Sequence, residues 1–522
     1  MASAADAAGN LAGRGRIISE KQSLPYFNDF FTGLQDVWSA SNPGGHILMA
    51  VAENHQNYAP LQKKLMQAQD KRMQTSGYCS MRGDARFLAA YAKFVEDVIA
   101  PGVSVDPNLL SAGTGCGSLF DHITHCICEE GDAVLVPSPM YAAFLNDCGV
   151  KAGARVVPCP MDTPEWSSAA ERAKSAATAT ATATAAGPTL PRHDLNISCL
   201  QAGFDAAVAV GSRPRMLILV NPGNPTGGCF KPAELLAAIA WARKRKLHVV
   251  VDEVYAAGVH YSGTLDAASP GSVPFKSAMQ LMQQQQQQKG GGAKPPTLGD
   301  DVHVMWGFSK DWGVSGFRIG VLYSQNEQLN AALNNIGYFS AVSNFTQEAM
   351  AEVLEDREWC AQYMRSNAHL VGGTYSKVVR ALQAAGVPVM QADAGMYVWV
   401  DLRAALPHVA PPAAATSSGL AATEVYKRDL DAAGVPWAAE TQLCETLFQQ
   451  HRVLLTPGRA CCSALAGFFR ICITWMDEAG TLEGVRRVAQ VFAQSTATTS
   501  AASSAAAHVP GSGRQFSTQA KL

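Results

Sequence analysis

The chain has 522 residues, 48% of them hydrophobic, and a formal charge of −2 at pH 7. That length exceeds one compact core and suits two domains or more, and the near-neutral balance excludes the basic footprint of a nucleic-acid or anionic-membrane binder. No apolar run is long enough to span a bilayer, so a soluble cytoplasmic protein without a membrane partner is expected.

In chain order, residues 1–16 (MASAADAAGNLAGRGR) lack the apolar core of a secretory signal and read as a disordered tail. Arg14 and Arg16 against the single acid Asp6 leave organellar import open. Over 84–99 an apolar face recurs at Phe87, Tyr91, Phe94 and Val98, with Leu88, Val95 and Ile99 beside it, which predicts a helix. SAGTGCGS (111–118) opens the next helical stretch; its glycines can cradle a phosphate, whereas its GxGxG spacing does not fit a dinucleotide fingerprint. AVLV (133–136) runs into PSPMY, RMLILV (215–220) into NPGNPTG, HVVV (248–251) into Asp252, and VHVMW (302–306) into GFSK. Continuous apolar runs ended by turn residues predict parallel strands buried on both faces. The fold class is then α/β, with ligands bound beyond the carboxyl ends of the strands.

Three low-complexity stretches interrupt this pattern: an Ala/Thr run at 168–190, a segment at 278–296 holding six consecutive glutamines, and a Ser/Thr/Ala-rich stretch from about 495 onward. They bury too little apolar surface to offset ordering entropy and read as loops or tails. The thirteen cysteines are scattered, with Cys126, Cys128 and Cys472 inside apolar stretches, and read as reduced core residues. No paired CxxC motifs with companion histidines point to zinc, and no metal is expected.

The chemistry sits at the strand ends. A lone lysine is ordinarily a solvated surface residue, but Lys310 ends a buried strand and Arg318 lies eight residues on. Asp252 ends another, as either a helix N-cap or a functional carboxylate, with Tyr255 three residues later. Asn224 sits in NPGNPTG, where prolines stiffen a turn and glycines let backbone approach a ligand. An anionic aromatic cofactor such as pyridoxal 5'-phosphate (PLP) needs a lysine, an acid for its ring nitrogen, donors for its phenolic oxygen, and N–H groups plus a cation for its phosphate. These strand ends hold each of them.

Taken together, NPGNPTG, then DEVY, then SK with GFR downstream resemble the fold-type I PLP enzymes of the class I/II aminotransferase superfamily, over roughly residues 20–495. The resemblance implies that Lys310 holds the cofactor covalently and moves the substrate's Cα proton, that Asp252 pairs with the ring nitrogen, and that Asn224 and Tyr255 bond the phenolic oxygen. Tyr141 would stack on the ring, and Thr114, Gly115, Ser309 and Arg318 would hold the phosphate. Tyr78 would reach a neighbouring subunit's phosphate and substrate, making the enzyme a homodimer with shared sites. Arg470, in GFFRICITW, would clamp the substrate carboxylate. Burial, Arg318 and the cationic ring are expected to lower the pKa of Lys310.

Within that superfamily, the segment 24–54 resembles the entry segment of 1-aminocyclopropane-1-carboxylate (ACC) synthases through its PYF, NPxG and closing AEN. Glu53 falls where those enzymes carry the glutamate linked to S-adenosylmethionine. A carboxylate beside a sulfonium is sound electrostatics, about 4 kcal/mol at about 4 Å and intermediate dielectric. The loop GTGCGSLF, the segment CSMRGDARF with Tyr78 five positions before Gly83, and Gly307 in place of the first serine of SxSK look more like the ACC synthase-like proteins of animals and fungi. The implied activity is conversion of S-adenosylmethionine to ACC and methylthioadenosine. An aminotransferase for an apolar or aromatic amino acid is the alternative, and a catalytically silent PLP-fold scaffold the third reading.

The expected architecture is a large PLP-binding domain over 56–344 with a mostly parallel sheet, carrying the insertions at 168–190 and 278–296. A smaller α+β domain combines 17–55 with 345–494, and 495–522 is a tail.

Overall fold

The structure, a computed structural model, describes residues 11–20, 26–69, 77–163, 166–168, 187–260, 272–288, 297–407 and 437–506. Its strands are β1 (Ile47–Leu48), β2 (Leu110–Gly113), β3 (Ala133–Ser138), β4 (Arg155–Pro160), β5 (Thr189–Leu190), β6 (Pro214–Val220), β7 (His248–Asp252), β8 (Val302–Gly307), β9 (Gly320–Ser324), β10 (Val389–Met390), β11 (Tyr397–Asp401), β12 (Val453–Leu454), β13 (Thr456–Pro457) and β14 (Phe468–Cys472).

Seven strands form one sheet in the order β2-β9-β8-β7-β6-β3-β4. All neighbours are parallel except β9, which runs antiparallel to both β2 and β8. The continuous apolar runs are explained by what their alternate residues touch. Leu217, Leu219, Val249, Val251, Val302 and Val304 enter one apolar core, whereas Met216, Ile218, Val250 and Met305 enter another. Successive side chains point to opposite faces, so a sheet covered on both sides needs apolar residues at every position. The helix predicted over 84–99 is Ala85–Phe94 plus a wider turn, Val95–Ile99; Asp84 caps it, its carboxylate accepting from the Phe87 N–H at 3.0 Å.

A second sheet, β13-β14-β11-β10-β5, is antiparallel except for the β10–β5 pair. Its core includes Val398, Val400, Phe469 and Ile471, together with Ile47 and Met49 from the N-terminal segment. β1 pairs in parallel with β12, tying that segment to the C-terminal part.

Several expectations change. Residues 278–296 were expected to be a loop, but Ala278–Gln288 is a helix that buries Ala278, Met279, Leu281 and Met282 in the first core. Glutamine is a good helix former, and four apolar residues at helical spacing suffice to dock it; residues 289–296 lie outside the described residues. Of the 168–190 stretch, 169–186 lie outside the described residues, but Thr189–Leu190 is β5, parallel to Val389–Met390 in the second sheet rather than part of the large domain. The boundary near 345 also shifts. Met350, Leu354, Cys360 and Met364 belong to the first core, and the helix Arg357–Ala384 passes from it to the second, which takes Val371, Tyr375, Val378 and Leu382.

The C-terminal helix Glu478–Ala506 runs past the tail boundary at 495, anchored by Val485, Val488, Val491 and Phe492. Part of the N-terminal tail is a short helix, Gly13–Glu20, in which the Ser19 hydroxyl donates to the Arg16 carbonyl at 2.7 Å. Cys128 and Cys472 are buried as expected, but Cys126 is exposed, because its helix turns Ile123 and Ile127 inward instead. Among the described residues no helix is long and apolar enough to cross a membrane.

Candidate active site

Because β9 alone is reversed, its start lies at the edge where β2, β3, β6, β7 and β8 end. A cleft of about 390 Å³ opens there, and Glu53, Tyr141, Asn224, Asp252, Tyr255, Ser309, Lys310, Arg318 and Arg470 all line it. Residues spread over more than 400 positions of sequence are thus brought to one cavity by the sheet order.

Asp252 is the last residue of β7 and 5% exposed; its Oδ1 accepts the Val254 N–H at 3.1 Å. Burial pushes its carboxyl up to about 7, opposed by that N–H and by the charge of Lys310. Asn224 follows β6 in a turn packed against the second domain. A Cβ on Gly227 (φ +70°) would lie 2.6 Å from Ala392 Cβ and Ala394 O, so only glycine fits. The Asn224 amide is held at both ends: Nδ2 donates to Tyr255 Oη at 3.2 Å, and Oδ1 accepts from Arg470 Nη1 at 2.8 Å. Tyr255 Oη is also hydrogen-bonded to Tyr397 Oη. Tyr141 is half-buried and packs edge-on against Phe144 at 5.3 Å.

Lys310 follows β8, anchored by the buried Phe308, and its Nζ donates to the Ala52 carbonyl at 2.7 Å. Its pKa is lowered, first by burial and then by the positive charge of Arg470; Glu53 acts in the opposite sense. The expected direction therefore holds, but the cation responsible in the protein is Arg470 and not Arg318.

At the other end, Gly115 (φ +88°) precedes the helix Cys116–Ile127, and a Cβ there would lie 2.6 Å from Arg318 Nη2. Arg318 is itself left-handed (φ 53°) and donates from Nη1 to the Ser315 carbonyl at 3.0 Å. Thr114 and Gly115 do not line the cleft, since their N–H groups are spent on the Ser340 carbonyl (3.1 Å) and the Gly113 carbonyl (2.7 Å). Cys116 and Gly117, the next two residues, line it instead. The position of Gly307 is explained by Cys116: a Cβ on Gly307 would lie 2.6 Å from Cys116 Sγ, which donates to the Trp306 carbonyl at 3.2 Å. Tyr78 is not brought to the cleft of its own chain and is 97% exposed.

The substrate side combines the irregular chain around Glu53 with the middle of β14. Arg470, in the middle of β14, is 3% exposed, with Nη2 bonded to the Ala50 carbonyl (2.5 Å) and Thr456 Oγ1 (3.0 Å) and its guanidinium 4.6 Å from the centre of the Tyr397 ring. Its Nε has no hydrogen-bond partner in the structure. Glu53 accepts from Ser315 Oγ at 2.5 Å and pairs with His55 Nε2 at 3.3 Å. Its carboxyl is lowered to about 2, chiefly by the bond to His55. Sequence reasoning missed His55, Ser315, Tyr397 and Asp147. His55 was findable, two residues beyond Glu53 and so on the same side of extended chain. Asp147 lines the cleft near Arg318, and burial pushes its carboxyl up to about 7.

These donors fit PLP. One buried acid, an amide N–H and a phenol beside it, one lysine of lowered pKa, and a glycine-opened helix N-terminus with a serine and an arginine match the ring nitrogen, phenolic oxygen, aldehyde and phosphate in turn.

Comparison with known proteins agrees. The family model "Aminotransferase class I and II" matches residues 46–488. The chain is 28% identical over 464 residues to 1-aminocyclopropane-1-carboxylate synthase 3 of Oryza sativa subsp. japonica, covering 87% of this chain and 89% of that one. It is 28% identical over 369 residues to human 1-aminocyclopropane-1-carboxylate synthase-like protein 1, covering 70% and 66%. In fold it is similar to aspartate aminotransferase from Thermus thermophilus with maleate, at a TM-score of 0.66 and 16% identity over 92% of this chain and 100% of that one. With the family model spanning most of the sequence and its cofactor donors gathered in one cleft, the chain belongs to the class I and II aminotransferases and is a PLP-dependent enzyme.

Proposed function

We propose that the enzyme carries out ACC synthase-like chemistry on S-adenosylmethionine. The observation that carries this reading is Glu53, an ionised carboxylate on the cleft wall close enough to Lys310 for their charges to interact. When bound, PLP supplies an electron sink for the bond broken at Cα. The chain's own residues do the rest. Arg470 orients the α-carboxylate, with the N–H on Nε and one N–H on Nη1 not taken by the bonds to Asn224, Ala50 and Thr456. Lys310, whose pKa is lowered by burial and by Arg470, takes the Cα proton onto Nζ. Glu53 faces the sulfonium. The Cγ–S bond breaks with its electrons passing to sulfur, methylthioadenosine leaves, and a Cα–Cγ bond closes the ring. Tyr78 acts in trans on a partner subunit's site, in keeping with its exposure and that of nearby Tyr338 (67%) and Phe339 (81%), beside the Ser340 carbonyl that binds the phosphate loop.

One observation favours the second reading, an aminotransferase for an apolar or aromatic amino acid: the carboxylate of Glu53 is already paired with His55 and Ser315. The test is incubation of the PLP-loaded protein with S-adenosylmethionine, assayed for ACC and methylthioadenosine, beside mixed amino acids with 2-oxoglutarate and a Lys310→Ala control. Lysine-dependent ACC is expected. Lysine-dependent glutamate without ACC would establish the aminotransferase instead.

A further inference from the structure

Glu53 is one half of a pair at the rim of the cleft. His55 Nε2 meets Glu53 Oε2 at 3.3 Å, and His55 Nδ1 meets the Trp475 carbonyl at 2.9 Å. Both partners of the ring are acceptors, so both nitrogens must donate, and only the imidazolium has two N–H groups. The Trp475 ring lies 5.5 Å from the imidazole, centre to centre, and limits its rotation. Among the described residues, the groups acting on the pair are Lys310 and the Ser315 hydroxyl on Glu53, and the Trp475 carbonyl on His55. Glu53 lines the cleft and His55 does not, so the histidine acts through the carboxylate.

We infer that His55 sets the charge Glu53 presents to the substrate side chain, and so decides how strongly the cleft prefers a cationic side chain to a neutral one of similar shape. This rests on the reading that Glu53 faces the substrate side chain. With His55 protonated the two charges cancel and the rim is neutral. With His55 neutral the carboxylate stands alone, held by Ser315, and attracts a sulfonium. The change falls above the usual histidine range, because the Glu53 carboxylate raises the pKa of His55. His55 is thus a positioning residue for specificity that no cofactor motif contains.

The experiment titrates the PLP-loaded protein with S-methyl-L-methionine, a sulfonium, and with L-methionine, its uncharged parent. The absorbance change of the bound cofactor gives Kd for each, from pH about 6 to about 9. In the unmodified protein the sulfonium-to-thioether preference should rise about tenfold with pH. His55→Gln should keep it high and His55→Lys, a permanent cation, low across that range, each changing only as the ligands' own amines titrate. Comparing variants cancels the titration of the ligands' own amines, and the cofactor absorbance reports that each variant is folded. An unmodified protein whose preference does not move with pH, or a glutamine variant that keeps the original profile, overturns the inference. Glu53→Gln separates the two readings. If it collapses the preference while both His55 variants behave like the original, only the role of His55 fails; if it changes nothing, the assignment of Glu53 to the substrate fails as well.

Discussion

The two walls of the cleft are built differently. The cofactor wall consists of residues at the ends of hydrogen-bonded strands, Asp252 as the last residue of β7 and Lys310 just after β8, in a sheet clamped between two apolar cores. The substrate wall is assembled from the irregular segment around Glu53 and from β14, joined by side-chain and carbonyl contacts such as Arg470 to Ala50 and Thr456. Strand ends fix a side chain through the backbone ladder, whereas an irregular segment fixes it only through the partners it finds. In the proposed reaction, the first wall holds the cofactor and the base, and the second holds the substrate, its carboxylate at Arg470 and its side chain toward Glu53.

Breaking the cofactor wall should cost most. Lys310→Ala is expected to lower turnover by about 10⁴-fold or more while the cofactor still binds, seen as product formation lost and a covalent cofactor adduct no longer trapped by borohydride. Asp252→Asn should cost about 10³-fold in turnover with a smaller effect on substrate KM, measured by steady-state kinetics.

The substrate wall should respond in affinity. Arg470→Lys is expected to raise KM for any α-amino acid by about 100-fold, since a single ammonium cannot replace the planar fork. A pH profile sharpens the contrast. The base must be unprotonated, so activity rises with pH through the lowered pKa of Lys310. Removing the Arg470 charge should move that rising limb to higher pH, and Glu53→Gln should move it to lower pH, because the two charges act on Lys310 in opposite senses. The smallest effect is remote from both walls. Met279→Ala, in the helix Ala278–Gln288, should destabilise by about 2–4 kcal/mol in chemical unfolding, whereas exposed Gln287→Ala should stay within about 0.5 kcal/mol.

The same contrast explains what the sequence disclosed. Asp252, Lys310 and Asn224 were legible because each closes an apolar run, and a polar residue there has nowhere to point but the sheet edge. Glu53 and Arg470 needed a family resemblance, since nothing local marks them. Ser315 stayed hidden because its role depends on a contact spanning 262 positions, from Ser315 to Glu53, whereas His55 stands only two residues from Glu53 and was within reach. The helix at Ala278–Gln288 was hidden for another reason: composition spoke louder than the spacing of four apolar residues. The domain boundary could not be read because one continuous amphipathic helix, Arg357–Ala384, serves two cores.

The contact between Cys116 and the space above Gly307 has a consequence for how this loop can change. Serine at 307 alone collides with the thiol, and a smaller residue at 116 alone loses the thiol's bond to the Trp306 carbonyl. The two positions trade volume, so a larger residue at 307 asks for a smaller one at 116. Cofactor affinity of the double variant Cys116→Ala/Gly307→Ser should exceed the sum of the single effects, a positive coupling that a double-mutant cycle reads directly. Each of the two positions thus sets the size of side chain the other can take.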